Sequence, residues 1–464
     1  MIKLMPFQEI GRDFLCLRSN AILADDMGLG KTYQVLEAIK KLGLQSGIII
    51  APQSIRRSWV KRTREQMPLA FIKEIISSKT IPDPSAINIV NYDIVWKEPL
   101  ITHLSQQTWP VLVCDESHYL KNISAKRTKI ILGRKGLYSR CARRWMVTGT
   151  PILNRPIELY PVLRALFPAF LTEKYQSYYD YAYQFCAAYQ GTFGFDATGA
   201  SNLEELSKIL KPIMLRRLKS EVQKDLPPVT YDKVYLDPSD KLIKLIEQER
   251  VEFNAKKLIG ETSTTRQAIG IIKAQAAIKH IRSILEEKSK IVVFVWHRSV
   301  VDTLMEEFKH EAVRYTGSES AKEKEEAVRR FQEDPNAKVF IGNIKSSGIG
   351  VDGLQYVCDT AVFIEMSYVP NEIKQAIDRL NRMGQNSRVQ IQFLIAEKSI
   401  DEDVIDSLAG KARNINVIMG EEKGVAFVDT KCKMCNQVTE IKNLKRVSKI
   451  TVCKDCTREM ECVL

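Results

Sequence analysis

No run of about 18 or more apolar residues occurs in this 464-residue chain, so no membrane-spanning helix is expected. The opening Met1-Ile2-Lys3-Leu4-Met5-Pro6 has neither a long apolar core nor a small-residue cleavage site, which argues against a secretory signal. An intracellular location is expected, cytoplasmic in a bacterium or phage and nuclear in a eukaryote. A clear internal repeat is also missing. So is charge balance, because 69 Lys and Arg face 56 Asp and Glu, leaving a net charge of +13. That excess favours polyanionic partners, nucleic acid first, although a merely basic protein would show it too. Five of the ten cysteines, Cys16, Cys114, Cys141, Cys186 and Cys358, are scattered through apolar or mixed segments and read as reduced core thiols.

At roughly 100–200 residues per domain, the length implies two to four domains. In the first half, Ala21–Leu23, Gly47–Ile50, Ile87–Val90, Val111–Cys114 and Trp145–Val147 are short apolar runs that predict buried strands. Amphipathic stretches such as Thr32–Leu42 and Ser54–Glu65 lie between them. Strands alternating with helices predict an α/β fold with a parallel sheet covered on both faces. The pattern breaks near Asp225-Leu226-Pro227-Pro228. A long helical region is expected from Asp240 to about Glu287. A second strand series follows at Ile291–Trp296, Ala312–Tyr315, Lys338–Ile341, Thr360–Ile364 and Val389–Leu394. Three domains are expected, over residues 1–228, 229–425 and 426–464.

The run Leu23-Ala-Asp-Asp-Met-Gly-Leu-Gly-Lys-Thr32 has the phosphate-loop layout of strand, glycine loop and helix. Asp26, Met27, Gly28, Leu29 and Gly30 would bring backbone N–H groups to the phosphates, Lys31 would supply a point charge, and the Thr32 hydroxyl would ligate Mg²⁺. The strict pattern wants glycine where this chain has Asp25. Two acids beside a polyanion site need a reason. They would hold the site's cations or park Lys31, or else cap the loop through backbone bonds.

Val111–Cys114 runs into Asp115-Glu116-Ser117-His118. Ligands of parallel sheets bind at the carboxyl ends of strands, which predicts both acids near the loop. One carboxylate would hold Mg²⁺ and the other would orient the attacking water. An acidic turn with no such role is the plainer alternative.

These runs, with "TGTP" at Thr148–Pro151, resemble motifs I, II and III of helicase superfamily two in its SWI/SNF-type branch. "PFQEIGRDFL" resembles the glutamine motif, "IIIAPQSIRRSW" motif Ia, and "MLRRLKSEV" a signature of the branch. "IVVFVWHRSVVDTL", "GNIKSSGIGVDGL" and "QAIDRLNRMGQ" resemble motifs IV, V and VI. "MPFQ", "DESHYLKN", "RPIELYPVL" and "FGFDATGASNLEEL" look most like the HARP-type annealing helicases. The likeness runs from about Pro6 to Asp403.

The resemblance implies two RecA-like lobes closing on ATP and Mg²⁺. Gln8 would read adenine, and Arg379 and Arg382 would stabilise transition-state charge beside Lys31, Asp115 and Glu116. His118, Thr148, Gly149 and Thr150 would couple the site to a DNA face. Candidate DNA contacts are Gln53, Ser54, Arg56, Asn91, Tyr92, His297, Arg298, Ser346 and Ser347, suited to sequence-independent tracking on sugar-phosphate. For each of these a purely structural loop role is an equal alternative. Two departures stand out: Asp352-Gly353 looks like an extra turn in motif V, and Asn381 stands in motif VI where His is more usual.

Cys432, Cys435, Cys453 and Cys456 form C-x₂-C…C-x₂-C, a zinc-ribbon spacing that would deliver four thiolates to Zn²⁺. Reduced or redox-active dithiols are the alternative. So short a segment needs metal to fold, and its basic stretch would touch DNA or a protein partner. Together these features predict a monomeric DNA-dependent ATPase that translocates on duplex or branched DNA, remodelling or annealing it. The rivals are a motor that displaces proteins such as RNA polymerase, an inactive nucleic-acid-binding adaptor and, more weakly, an RNA helicase. The compact chain suits a phage, viral or bacterial protein.

Overall fold

The computed structural model describes residues 3–171, 175, 177–191, 194–223, 225–236, 239–254, 264–397 and 399–419. It also describes short strands at 430–431, 438–439, 444–447 and 450–453. The chain forms two compact units, chiefly Met1–Leu226 and Pro227–Asn416. The division falls within the Asp225–Pro228 stretch.

The first unit is built on a seven-stranded sheet. Its strands are β1 (Asn20–Leu23), β2 (Gly47–Ala51), β3 (Ile72–Glu74), β4 (Ile87–Asn91), β5 (Trp109–Asp115), β6 (Cys141–Val147) and β9 (Met214–Leu215). A hairpin of β7 (Tyr189–Gly191) and β8 (Gly194–Asp196) stands outside the sheet. The order is β3-β4-β2-β5-β6-β1-β9, with every pairing parallel. Val111, Leu112 and Val113 are fully buried, as are Ile48–Ile50. A strand covered on both faces reads as a continuous β-branched run for this reason. Each such side chain contributes about 1.5–3 kcal/mol by leaving water.

Helix α1 (Pro6–Cys16) packs on α2 (Lys31–Lys41), and α3 (Gln53–Gln66) follows β2. Register fixes where the strands deliver their ends. Leu23 and Asp115 are both partners of Val147, so the loops after β1, β5 and β6 emerge side by side.

The second unit has a six-stranded sheet of β10 (Val229–Leu236), β11 (Ile291–Val295), β12 (Ala312–Tyr315), β13 (Val339–Asn343), β14 (Thr360–Phe363) and β15 (Val389–Ala396). The order is β10-β15-β14-β11-β13-β12, again parallel throughout. The ten expected strands are present with ends shifted by a few residues. Three more sheet strands belong to the structure: β3 and β9 are too short to show a pattern, and β10 is a mostly half-buried edge strand. The expected helical region is two helices, Asp240–Asn254 and Thr264–Glu287.

No described helix is long and apolar enough to cross a membrane. The zinc expectation falls largely outside the described residues. Cys432, Cys435 and Cys456 are not described, and of Cys453 only the backbone, in the strand Ile450–Cys453, is.

Candidate nucleotide site

The phosphate loop needs backbone geometry that only glycine adopts at low cost. Gly28 and Gly30 have φ of 81° and 72°, and Gly30 caps α2. A Cβ on Gly30 would stand 2.4 Å from Gln8 Nε2. Gln8 lies against the loop, donating from Nε2 to the Leu29 carbonyl at 3.2 Å and accepting at Oε1 from the Met5 N–H at 2.9 Å. Gly149 closes the other side, where a Cβ would meet Met27 Cγ at 2.6 Å and Lys31 Nζ at 3.2 Å.

Lys31 is held by backbone. Its Nζ donates to the carbonyls of Asp25 at 2.7 Å and Asp26 at 3.0 Å. Burial pulls its pKa down, while the charges of Glu116, Asp25, Asp115 and Asp26 act against that pull. The carbonyls of these two residues thus park Lys31, while their carboxylates face Arg217 and Arg216. Arg217 donates from Nε to Asp25 Oδ1 at 2.9 Å and from Nη2 to Asp25 Oδ2 at 2.5 Å. Arg216 Nη2 lies 3.5 Å from Asp26 Oδ1, and the Lys219 N–H donates to Asp26 Oδ2 at 3.3 Å. Gln34 completes the buried network, donating to Asp25 Oδ2 at 3.0 Å and accepting from Arg217 Nη2 at 3.1 Å.

The paired acids stand at the end of β5. Asp115 accepts at Oδ2 from Trp59 Nε1 at 2.6 Å and at Oδ1 from the Glu116 N–H at 2.9 Å. Burial first, then the charge of Glu116, pushes its carboxyl up to about 6. Glu116 adopts φ 49° and ψ 52°, the left-handed region that a bulky residue enters at a cost. Its Oε2 accepts from Thr148 Oγ1 at 3.2 Å and lies 3.2 Å from His118 Nδ1. Thr148 Oγ1 is 3.2 Å from that same nitrogen and accepts from the Thr150 N–H at 3.1 Å, while Thr150 Oγ1 is 3.4 Å away. The four coupling candidates, His118, Thr148, Gly149 and Thr150, thus surround Glu116 and Lys31. Two adjacent buried carboxylates, one with raised affinity for a proton, fit a divalent cation, and Asp115 with Thr32 would hold it.

The candidate DNA contacts divide. Gln53 and Ser54 are exposed at the start of α3. Arg56 and Asn91 are buried and tied to Gln53 Oε1, Arg56 at 2.8 Å, and Arg56 Nε also meets Glu74 Oε1 at 3.0 Å. Tyr92 is corrected outright. Its ring is fully buried and its hydroxyl donates to the Asp115 carbonyl at 2.8 Å, so it supports the acid pair rather than a surface.

In the second unit, Arg298 is exposed and Ser346 half-buried, while Ser347 is fully buried. His297 Nδ1 is 2.6 Å from Glu365 Oε1, and Glu365 Oε2 accepts the N–H groups of Trp296 and His297, both at 2.8 Å. Arg379 Nη1 donates to the Val351 carbonyl at 3.1 Å, and Arg382 Nη1 pairs with Asp352 Oδ1 at 2.6 Å. Sequence reasoning missed Trp59, Gln34 and Glu365 as supports. Arg216 and Arg217 stood in a recognised signature without an assigned partner.

A glycine loop opening a helix, beside a strand ending in paired acids, defines a P-loop nucleotide-binding protein. The family model described as SNF2-related domain matches residues 14–290, and that described as helicase conserved C-terminal domain matches residues 273–384. The chain belongs to the SNF2-related family. It is 34% identical over 441 residues to the mouse DNA annealing helicase and endonuclease ZRANB3, covering 89% of this chain and 40% of that protein. It is 30% identical over 419 residues to the Xenopus tropicalis SWI/SNF-related matrix-associated actin-dependent regulator of chromatin subfamily A-like protein 1, covering 86% and 43%. The chain therefore spans about two fifths of the length of these relatives. A solved SWI2/SNF2 ATPase core from Sulfolobus solfataricus in complex with dsDNA is 23% identical, with a TM-score of 0.44, covering 90% of this chain and 93% of that one.

Proposed function

We propose that this protein is a DNA-stimulated ATPase that moves on duplex or branched DNA and remodels or anneals it. The observation that carries the reading is the convergence on one strand-end cluster of Lys31, Asp115 and Glu116, with Thr148 and His118 bonded to the acid that would act on water. The names of its relatives support the DNA substrate. The intact loop lysine and acid pair weigh against an inactive adaptor.

In this reading Lys31 leaves the carbonyls of residues 25 and 26 for the β- and γ-phosphates of ATP. Gln8 borders the adenine pocket. Thr32 and Asp115 would hold Mg²⁺, which would supply neutralisation of phosphate charge. Glu116 orients a water for attack on the γ-phosphorus and takes its proton. Arg379 and Arg382 steady the charge that develops on the transferring group. Because Glu116 shares its Oε2 with Thr148 and His118, a shift in the 148–150 turn alters the acid directly, which is a route for DNA to govern turnover. Gln53, Ser54, Arg298 and Ser346 are the accessible candidates for backbone contact.

The proposed division of labour is residues 1–228 and 229–425 as the two motor lobes and 426–464 as a four-cysteine zinc tail. The tail rests on the spacing of Cys432, Cys435, Cys453 and Cys456, and elemental analysis giving one zinc per chain, lost on substitution of Cys432, tests it.

The motor reading is tested by ATP turnover with no DNA, single strands, linear duplex and a model fork. Stimulation by duplex or fork is expected, with Lys31→Ala losing about a hundredfold or more. Fork preference supports remodelling or annealing, and equal stimulation by linear duplex favours displacement of bound proteins. Absence of turnover with every DNA would overturn the motor reading.

A further inference from the structure

Both motif VI arginines donate into motif V of their own unit. Arg379 places Nη1 on the Val351 carbonyl at 3.1 Å and Nη2 on the Gly348 carbonyl. Arg382 places Nη1 on Asp352 Oδ1 at 2.6 Å. Gln355 stitches the same two segments, donating to the Met383 carbonyl at 3.5 Å and accepting from the Gly353 N–H at 3.1 Å. The turn that presents Asp352 is set by its neighbour, since Gly353 has φ 95° and a Cβ there would stand 1.9 Å from Gln332 Nε2.

Arg382 faces a full negative charge. Its side chain is 18% exposed and that of Asp352 56% exposed, so water and salt weaken this pair. A carboxylate at this strength can hold a guanidinium at rest and yield it to a phosphate of higher charge.

We propose that Asp352 is a positioning residue that holds Arg382 against its own unit and so restrains ATP turnover until the γ-phosphate competes for the guanidinium. This rests on the reading of Arg382 as a phosphate-facing group. It makes the motif V departure functional, because an acid at 352 adds a threshold to the cycle that a neutral residue would lack.

The test is turnover at saturating ATP without DNA, and again with duplex DNA. Exposed pairs of this kind carry energies that correspond to about a two- to fivefold change. Asp352→Asn is expected to raise DNA-free turnover by that factor, Asp352→Glu to stay near wild type, and DNA-stimulated turnover to change little. Thermal midpoints are expected to match wild type. Added salt should raise DNA-free turnover of the wild type and leave Asp352→Asn flat. Unchanged or lower DNA-free turnover in Asp352→Asn, or a wild type indifferent to salt, would overturn the inference. Arg382→Ala separates the two levels: if it keeps full DNA-stimulated turnover, the reading of Arg382 fails, whatever Asp352→Asn does.

Discussion

Arg217 grips Asp25 with two donors, Nε on Oδ1 at 2.9 Å and Nη2 on Oδ2 at 2.5 Å, and the acid is fully buried. This pair ties the phosphate loop to a segment some 190 residues later, and it accounts for an acid in the place of the first loop glycine. A nucleotide at this loop would not meet a bare charge there, because the guanidinium already satisfies it. The short strand β9 makes the meeting geometric: Leu215 pairs with Leu23, so the residues that follow each strand run side by side.

Asp25→Asn should therefore act first on stability. It leaves the half-buried Arg217 without its counter-ion, a change that costs up to about 3–5 kcal/mol. For a unit of this size that lowers the melting midpoint by about 6–20 °C. Asp26→Asn should cost much less, because Arg216 stands 3.5 Å from that acid and also donates to the Ala24 carbonyl at 2.8 Å. Scanning calorimetry of the two variants checks the ranking, and equal losses would contradict it.

A second expectation concerns pH. The folded-state pKa of Asp115 is raised to about 6 from 3.8. The folded form therefore holds this proton more tightly, and at this acid stability falls as pH rises from 3.8 to about 6. If Asp115 holds Mg²⁺ as proposed, the ion needs the carboxylate, so the apparent Mg²⁺ affinity in turnover should be flat well above about pH 6 and fall toward about tenfold per unit below it. Trp59→Phe removes a hydrogen bond that favours the charged form, so its acid limb should lie at higher pH than that of the wild type. Titration of the nucleotide itself is common to both proteins and drops out of the comparison. Identical limbs would show that Trp59 only packs.

The strands and the motor motifs were legible because their signals are local. An apolar run marks β5, and the acids that follow it sit at the carboxyl end of a central strand by topology alone. Glycines at 28 and 30, before Lys31 and Thr32, likewise need no distant knowledge. What could not be read were partners. Asp25 waits for Arg217, and the strand that brings them together is two residues long, below any periodic signal. Tyr92 follows a strand as a DNA-contacting residue would, yet its hydroxyl reaches the Asp115 carbonyl through the interior. Trp59 has the spacing of a core residue on α3, and only the fold shows that its N–H holds the Asp115 carboxylate. Asp352 stood out as a departure, but its place against Arg382 required the turn at Gly353.

The last expectation concerns acid unfolding of the second unit. Four buried groups interlock there. Arg266 donates to Glu249 Oε1 at 3.1 Å and to Asp401 Oδ1 at 2.5 Å, and Lys273 donates to Asp401 Oδ2 at 2.7 Å. They join the helices Asp240–Asn254, Thr264–Glu287 and Ile400–Met419. The charges cancel two against two while both acids are ionised, although burial pushes the Glu249 carboxyl up and Asp401 alone is held down. Burial works against the Asp401 carboxylate, but Lys273 and then Arg266 outweigh it and hold the pKa well below 3.8. A lowered folded pKa gives stability that is present above 3.8 and lost as pH falls through and below that value. Asp401→Asn should abolish this dependence and leave two buried cations facing one acid, at a cost of about 3–5 kcal/mol at neutral pH. Lys273→Met, which removes one cation and keeps the Arg266 fork, should cost less. Urea unfolding at about pH 2.5 and about pH 6 distinguishes these outcomes: the wild type should lose stability between the two, and Asp401→Asn should lose markedly less.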